Sequence, residues 1–257
     1  MKKATAIVFS PTKSTLKIAN LVLNRLGLPV ETIDITPYKN RSFSYDFKTE
    51  DITVFAVPVY GGRVPKPAME TIKNIKGNYT PAILVAVYGN RAYDDALLEL
   101  KNILVENGFV PIAAGAFVAK HSIMKIAKGR PNNEDIAEIE FFADKALDSI
   151  QGEKIEKISP VDVPGNFPYV EPGGKTPTPL TNKDCIKCGA CSRFCPVGAI
   201  SKKSPNKTDY ELCIGCMACI KICPNKARHL DKEKLKPVKN KFKEMYAEPR
   251  APECFYI

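Results

Sequence analysis

The chain has 257 residues, 44% of them hydrophobic, enough for one full-sized domain and a small module beside it. Two features depart from an average composition: a formal charge of +10 and nine cysteines. The opening MKKATAIVFSP lacks the apolar core and cleavage site of a secretory signal, and no apolar run approaches membrane-spanning length, so a cytoplasmic protein without a membrane segment is expected.

Residues 4–10 read as a short buried strand. The loop Pro11–Ser14 leads into a helix with an apolar face of Ile18, Ala19, Val22 and Leu26, ended by Gly27 and Pro29. A second strand spans 30–35. In DITVFAVPVYGG the centre, Val54–Val57, is apolar on both faces, as in a central parallel strand. Pro65 and Pro67 open the next helix, Ile83–Val87 repeats the strand pattern, and Tyr93–Glu106 reads as a helix closed by Gly108. FVPIAAGAFVA supplies a fifth strand. A last helix begins near Pro131, with Glu134 and Asp135 in its first turn and Ile136, Ile139, Ala143, Ala146 and Ile150 inward. Strands alternating with helices imply an α/β doubly wound sheet over residues 1–150, with right-handed crossovers. Such sheets bind ligands at the carboxyl ends of their strands, which directs attention to the loops after strands one, three and four.

The first of these loops is Ser10-Pro11-Thr12-Lys13-Ser14-Thr15, where hydroxyls and N–H groups at a helix start can cradle a phosphate; a plain helix cap is the competing reading. Neither the Walker glycines nor GxGxxG is present. The second is Pro58-Val59-Tyr60-Gly61-Gly62-Arg63 and the third is Tyr88-Gly89-Asn90-Arg91-Ala92-Tyr93-Asp94. Together the three loops resemble those of flavodoxins, which bind flavin mononucleotide (FMN). The resemblance implies a five-stranded parallel sheet of order 2-1-3-4-5 and an FMN site. Its residues would be Ser10, Thr12, Lys13, Ser14 and Thr15, then Pro58, Val59, Tyr60, Gly61 and Gly62, and finally Tyr88, Gly89, Asn90, Arg91, Tyr93 and Asp94. Lys13 stands where the family has glycine. Tyr60 would cover one flavin face, Tyr93 would stack on the other, and Gly61 would let its peptide flip as flavin N5 gains a proton. Arg91 would favour the anionic reduced flavin. His121, after strand five, reads as a loop anchor, with a proton source near the flavin as the sharper alternative.

Residues 151–180 contain six prolines and little periodicity, and read as an extended linker packed across the first domain. Cys185, Cys188, Cys191 and Cys195 follow, with Pro196; the pattern recurs 28 residues on as Cys213, Cys216, Cys219 and Cys223, with Pro224. This is the C-x2-C-x2-C-x3-C-P run written twice, and eight thiolates suit two four-iron clusters. Zinc and disulfides are the competing readings, disfavoured by the third close cysteine and by the expected compartment. The run resembles the two-cluster bacterial ferredoxins, an α+β fold. Their crossover implies one cluster on Cys185, Cys188, Cys191 and Cys223, and another on Cys195, Cys213, Cys216 and Cys219. Gly189, Ala190, Gly215 and Ala218 leave room for them. The module is expected over 181–230. The basic tail, 231–257, offers one short helix around Phe242 and Tyr246 and an ordinary thiol, Cys254.

In this order the two parts resemble flavodoxin–ferredoxin fusion proteins. The resemblance implies an electron-transfer protein coupling one-electron and two-electron partners, with redox proteins as partners. An FMN-dependent reductase of a small organic substrate, fed through the clusters, is the alternative. Two clusters and a bound phosphate would lower the charge to about +4, which leaves little basis for a nucleic-acid partner.

Overall fold

The computed structural model describes residues 1–41, 45–172 and 177–257; part of the linker, 173–176, thus lies outside the described residues. Five parallel strands, β1 (Lys3–Val8), β2 (Val30–Asp34), β3 (Asp51–Pro58), β4 (Thr80–Tyr88) and β5 (Phe109–Val118), lie in the order β2-β1-β3-β4-β5. This is the flavodoxin-like order expected above. The crossovers are α1 (Ser14–Arg25), α2 (Lys66–Ile72) and α3 (Ala96–Glu106), and α4 (Asn133–Asp148) follows β5.

The apolar runs of β3 and β4 are explained by helices on both faces. Val54, Ala56, Ile83, Val85 and Val87 pack with α1 and α4, while Phe55, Val57, Leu84, Ala86 and Tyr88 pack with α2 and α3. Each fully buried large side chain among them contributes about 1.5–3 kcal/mol. The register pairs Val8 with Asp34 and with Ala56, and Pro58 with Val87, so the strands end along one edge. That edge brings together the loops after β1, β3 and β4. Asn132 starts α4 through a capping box with Asp135, and Arg25 of α1 forms a two-point ion pair with Asp144 of α4.

The linker does pack across this domain. Val161 N–H donates to the Pro111 carbonyl, and Ile155 and Val161 are buried. Asp95, buried at the start of α3, accepts from the N–H groups of Asn166 (2.8 Å) and Val170 (2.5 Å). Arg63 forks onto Glu99, donates to the Val170 carbonyl and lies over the Tyr169 ring. Burial alone raises the Asp95 pKa, but the Val170 and Asn166 donors and the Arg63 charge hold it below the ordinary carboxylate range.

In the cysteine region β6 (Leu180–Thr181) pairs antiparallel with β7 (Arg228–His229), and short helices α5 (Ala190–Arg193) and α6 (Ala218–Ile222) occupy equivalent places in the two repeats. The tail holds more structure than one short helix. After α7 (Lys232–Met245), β8 (Glu253–Tyr256) joins the sheet antiparallel to β5, making six strands. Phe255 packs on the α2/α3 side of the sheet, Cys254 and Tyr256 on the other. Burial pushes the Cys254 thiol up to about 11.

Two outcomes follow from this packing. Phe255 is half-buried, so Phe255→Ala should cost about 2 kcal/mol, lowering Tm by about 4–8 °C in a circular-dichroism melt. Asp95 has a depressed folded pKa, so its contribution is present above the unfolded value of about 3.9 and lost as pH falls through the folded one. Amide protection at Asn166 and Val170, corrected for intrinsic exchange, should stay flat between about pH 5 and 8 and fall below about pH 4; Asp95→Asn should abolish that dependence.

Candidate metal centre and sheet-edge loops

The sulfur-bearing loops share one backbone. Lys187, Gly189 and Gly198 have φ of 54°, 74° and 68°, and Gly215, Met217 and Lys226, each 28 residues on, have 62°, 63° and 50°. Left-handed conformation at Lys187, Met217 and Lys226 costs about 1–2 kcal/mol per residue and persists only where the surroundings impose it. Here it recurs at equivalent places in the two runs, the kind of turn whose successive N–H groups can form a concave site for an anionic cluster.

Two cavities result. The first is lined by Cys185, Cys188, Cys191 and Cys223; the second by Cys195, Cys213, Cys216 and Cys219. The eight cysteines thus divide four and four, and each cavity takes its fourth from the other run. Four thiols spaced around a cavity wall fit a polynuclear cluster, and both donor sets are all-sulfur. Ala227 N–H donates to Cys223 Sγ at 3.3 Å. Burial pushes Cys216 up to about 12, opposed by the Ala218 N–H, and Cys219 up to about 11, opposed by Arg228. Metal loading therefore has to displace protons from these thiols.

The cavities differ in setting. Cys188 is exposed and Ile186 beside it is 64% exposed, so the first cavity is the outer one. Cys216 and Cys219 are buried. Ile214 packs into the α2/α3 core of the sheet domain, and the Tyr60 phenol, held well above its usual pKa by burial, also feels Cys216. Arg41, whose guanidinium donates to the Ile35 and Thr36 carbonyls and lies over Phe9, feels Cys195 in turn. The second cavity is therefore the inner one, beside the sheet edge. Nothing in the local pattern around Arg41 pointed to this.

At that edge the first loop keeps its hydroxyls in two layers. Ser10 is buried, accepting from Leu16 N–H at 3.0 Å and donating its own N–H to Thr36 Oγ1 at 2.7 Å, and Thr15 is buried too. Thr12 and Ser14, 3.3 Å apart, are the accessible pair, beside an α1 N-terminus with no side-chain cap. That donor set fits a phosphate. Lys13 adopts the left-handed conformation (φ 69°) that glycine takes without strain, and its ammonium pairs with Asp34 at 2.9 Å. In the second loop Tyr60 and Arg63 exchange both backbone hydrogen bonds around Gly61 and Gly62 (φ 60° and 86°), a tight two-residue hairpin. Gly62 abuts Asp94, where a Cβ would come within 2.4 Å of Oδ2. Pro58 and Val59 lead into this hairpin, half-buried.

The third loop departs from expectation. Tyr93 is 7% exposed, edge-on to Tyr88, and donates to Glu253 at 2.7 Å. Asn90 is buried and its amide is committed to the tail, donating to the Tyr246 and Glu248 carbonyls and accepting from Arg250 N–H. Arg91 is paired with Asp94, which offsets the charge expected to favour an anionic flavin. Tyr88 belongs to the core, with its hydroxyl buried and unpartnered. For Tyr93 and Asn90 the physical reason is shared: the tail from α7 to β8 packs against this loop and takes their polar groups. Gly89 touches the His121 ring, whose Nδ1 accepts from the N–H groups of Ile123 and Met124 while Phe242 of α7 meets it edge-on. Burial lowers the His121 pKa to about 4, so the ring is neutral and anchors its loop.

Residues 180–224 match the family model described as 4Fe-4S dicluster domain. The chain resembles solved flavodoxins over its sheet domain. One from Streptococcus pneumoniae TIGR4 is 22% identical, with 57% of this chain and 98% of that one covered and a TM-score of 0.40. Flavodoxin 1 from Bacillus cereus is 18% identical, with 57% and 98% covered and a TM-score of 0.42. A flavodoxin from Fusobacterium nucleatum, solved bound to flavin mononucleotide, is 15% identical, with 58% and 98% covered and a TM-score of 0.39. No curated protein matches the chain. The fold itself rests on the strand order. No helix among the described residues is long and apolar enough to cross a membrane.

The four-and-four division has a direct test in double variants. Cys188→Ser with Cys223→Ser, both lining the outer cavity, should leave about four irons per chain, whereas Cys216→Ser with Cys223→Ser, one from each cavity, should leave about none. Pairing by run rather than by cavity would give the reverse.

Proposed function

We propose that this protein is an electron carrier that passes electrons between two 4Fe–4S clusters and FMN, coupling one-electron and two-electron partners. The observation that carries the reading is the pair of four-thiol cavities, one with the exposed Cys188 in its wall and the other walled in part by Ile214, which packs against the sheet domain. The clusters, when bound, supply one-electron transfer, and FMN accepts either one electron or two. Residues 181–230 would hold the clusters, the outer on Cys185, Cys188, Cys191 and Cys223, the inner on Cys195, Cys213, Cys216 and Cys219. Residues 1–150 would hold FMN. Thr12, Ser14 and the first N–H groups of α1 bind its phosphate, and the Gly61–Gly62 hairpin borders its ring. Tyr60 excludes water between the inner cavity and that edge. A low-potential redox protein reaching the outer cluster is the partner this arrangement suits, in a cytoplasmic setting.

A second reading, an FMN-dependent reductase of a small organic substrate, draws support from Tyr93. Its commitment to Glu253 removes the aromatic expected to close the second flavin face.

Anaerobic stopped-flow reduction of the holoprotein by a reduced one-electron carrier protein separates these. The carrier reading expects flavin reduction to slow about tenfold or more in Cys188→Ser and in Cys219→Ser, with NADH alone a poor reductant because the chain has no dinucleotide fingerprint. Undiminished flavin reduction in both variants, or rapid reduction by NADH, would contradict it. Repeated turnover of an organic acceptor by the reduced protein would favour the reductase.

A further inference from the structure

The two repeats are not equivalent at one buried position. Ile200 is 3% exposed, and 28 residues on, at the matching place, stands Arg228, also 3% exposed. Its Nη1 donates to Thr208 Oγ1 at 2.5 Å, and its Nη2 reaches the Pro205 carbonyl and, at 3.6 Å, Cys191 Sγ. Its Nε–H is buried and has no partner among the described residues. No carboxylate is among these partners. The guanidinium lines the outer cavity, and its field also reaches Cys219 of the inner one.

A buried cation without a counter-charge is costly, since several kcal/mol of lost hydration must be returned by something nearby. Arginine keeps its proton at all accessible pH, so it cannot escape that cost by becoming neutral. Of the groups it touches, Cys191 is the one that becomes anionic, as a thiolate binding a cluster.

We propose that Arg228 is the internal counter-cation of the two clusters and makes them electrochemically unequal, raising the potential of the outer one above that of the inner. The inference rests on the two-cluster reading. Adding one electron makes a cluster one unit more negative with no proton required, and a fixed positive charge stabilises the reduced state more strongly the closer it lies. Arg228 touches a thiol of the outer set and reaches the inner set only through its field. Ile200, its counterpart, offers the inner cluster no such charge. The first electron therefore rests on the outer cluster, away from the sheet edge.

The test is potentiometric titration of the anaerobic holoprotein, followed by electron paramagnetic resonance, with iron and sulfide counted in every sample. The wild type should give two resolved midpoints. Arg228→Gln should lower the upper one and narrow the gap, while Arg228→Lys, which keeps the charge, should preserve most of it. Lys226→Gln, at an exposed neighbouring lysine, should shift both midpoints slightly and only at low salt. The wild-type gap should persist from low to high salt, because a buried charge is poorly screened. An unchanged gap in Arg228→Gln with its full iron, a single wild-type midpoint, or a gap that collapses with salt would overturn the proposal. The last two need no variant and remain decisive where Arg228→Gln does not load. A wild-type chain without iron would instead sink the two-cluster reading.

Discussion

Each cysteine cavity is closed by a residue from the other run. Cys223 completes the wall begun by Cys185, Cys188 and Cys191, and Cys195 completes that of Cys213, Cys216 and Cys219. Neither half can therefore form its site alone, and the module has to fold as one unit. The same exchange explains the paired left-handed residues at 28-residue spacing and the short β6–β7 ladder that ties the ends of the module together. With a core this small, most of the stability must come from the metal–thiolate bonds, as in other small metal-dependent domains.

The second organising contact is between that module and the sheet. Ile214 packs against the core on the α2/α3 side, and the Tyr60 phenol and the Arg41 guanidinium feel the Cys216 and Cys195 sulfurs electrostatically. Asp95 and Arg63 hold residues 166–170 of the linker against α3, which shortens the span left to the module. A fixed separation between redox centres matters because a free tether would leave their distance to chance. In the proposed reading the outer cavity meets the partner and the inner one meets the sheet edge, so position alone gives the two clusters different roles.

Much of this could be read directly from the residues. The sheet was legible because β3 and β4 are apolar on both faces, a pattern that only two covering layers of helix explain. The repeated run was legible in the spacing, whereas the crossed grouping of its cysteines is what the resemblance implies. The partners of the third loop were not legible because they lie far away in the chain: Tyr93 and Glu253 are 160 residues apart, and no local periodicity encodes that contact. ECFY is too short and too mixed to announce a sixth strand. Ser10 and Thr15 look identical to Thr12 and Ser14 in a list of hydroxyls, and only the turn into α1 decides which face inward. Arg228 carried a signal that aligning the two repeats would have exposed, a cation opposite Ile200.

Composition is the most direct measure of the central claim. Anaerobically purified protein should contain about eight irons, about eight acid-labile sulfides and one FMN per chain. Stoichiometric zinc with no sulfide, or eight irons with no flavin at any loading, would contradict the account.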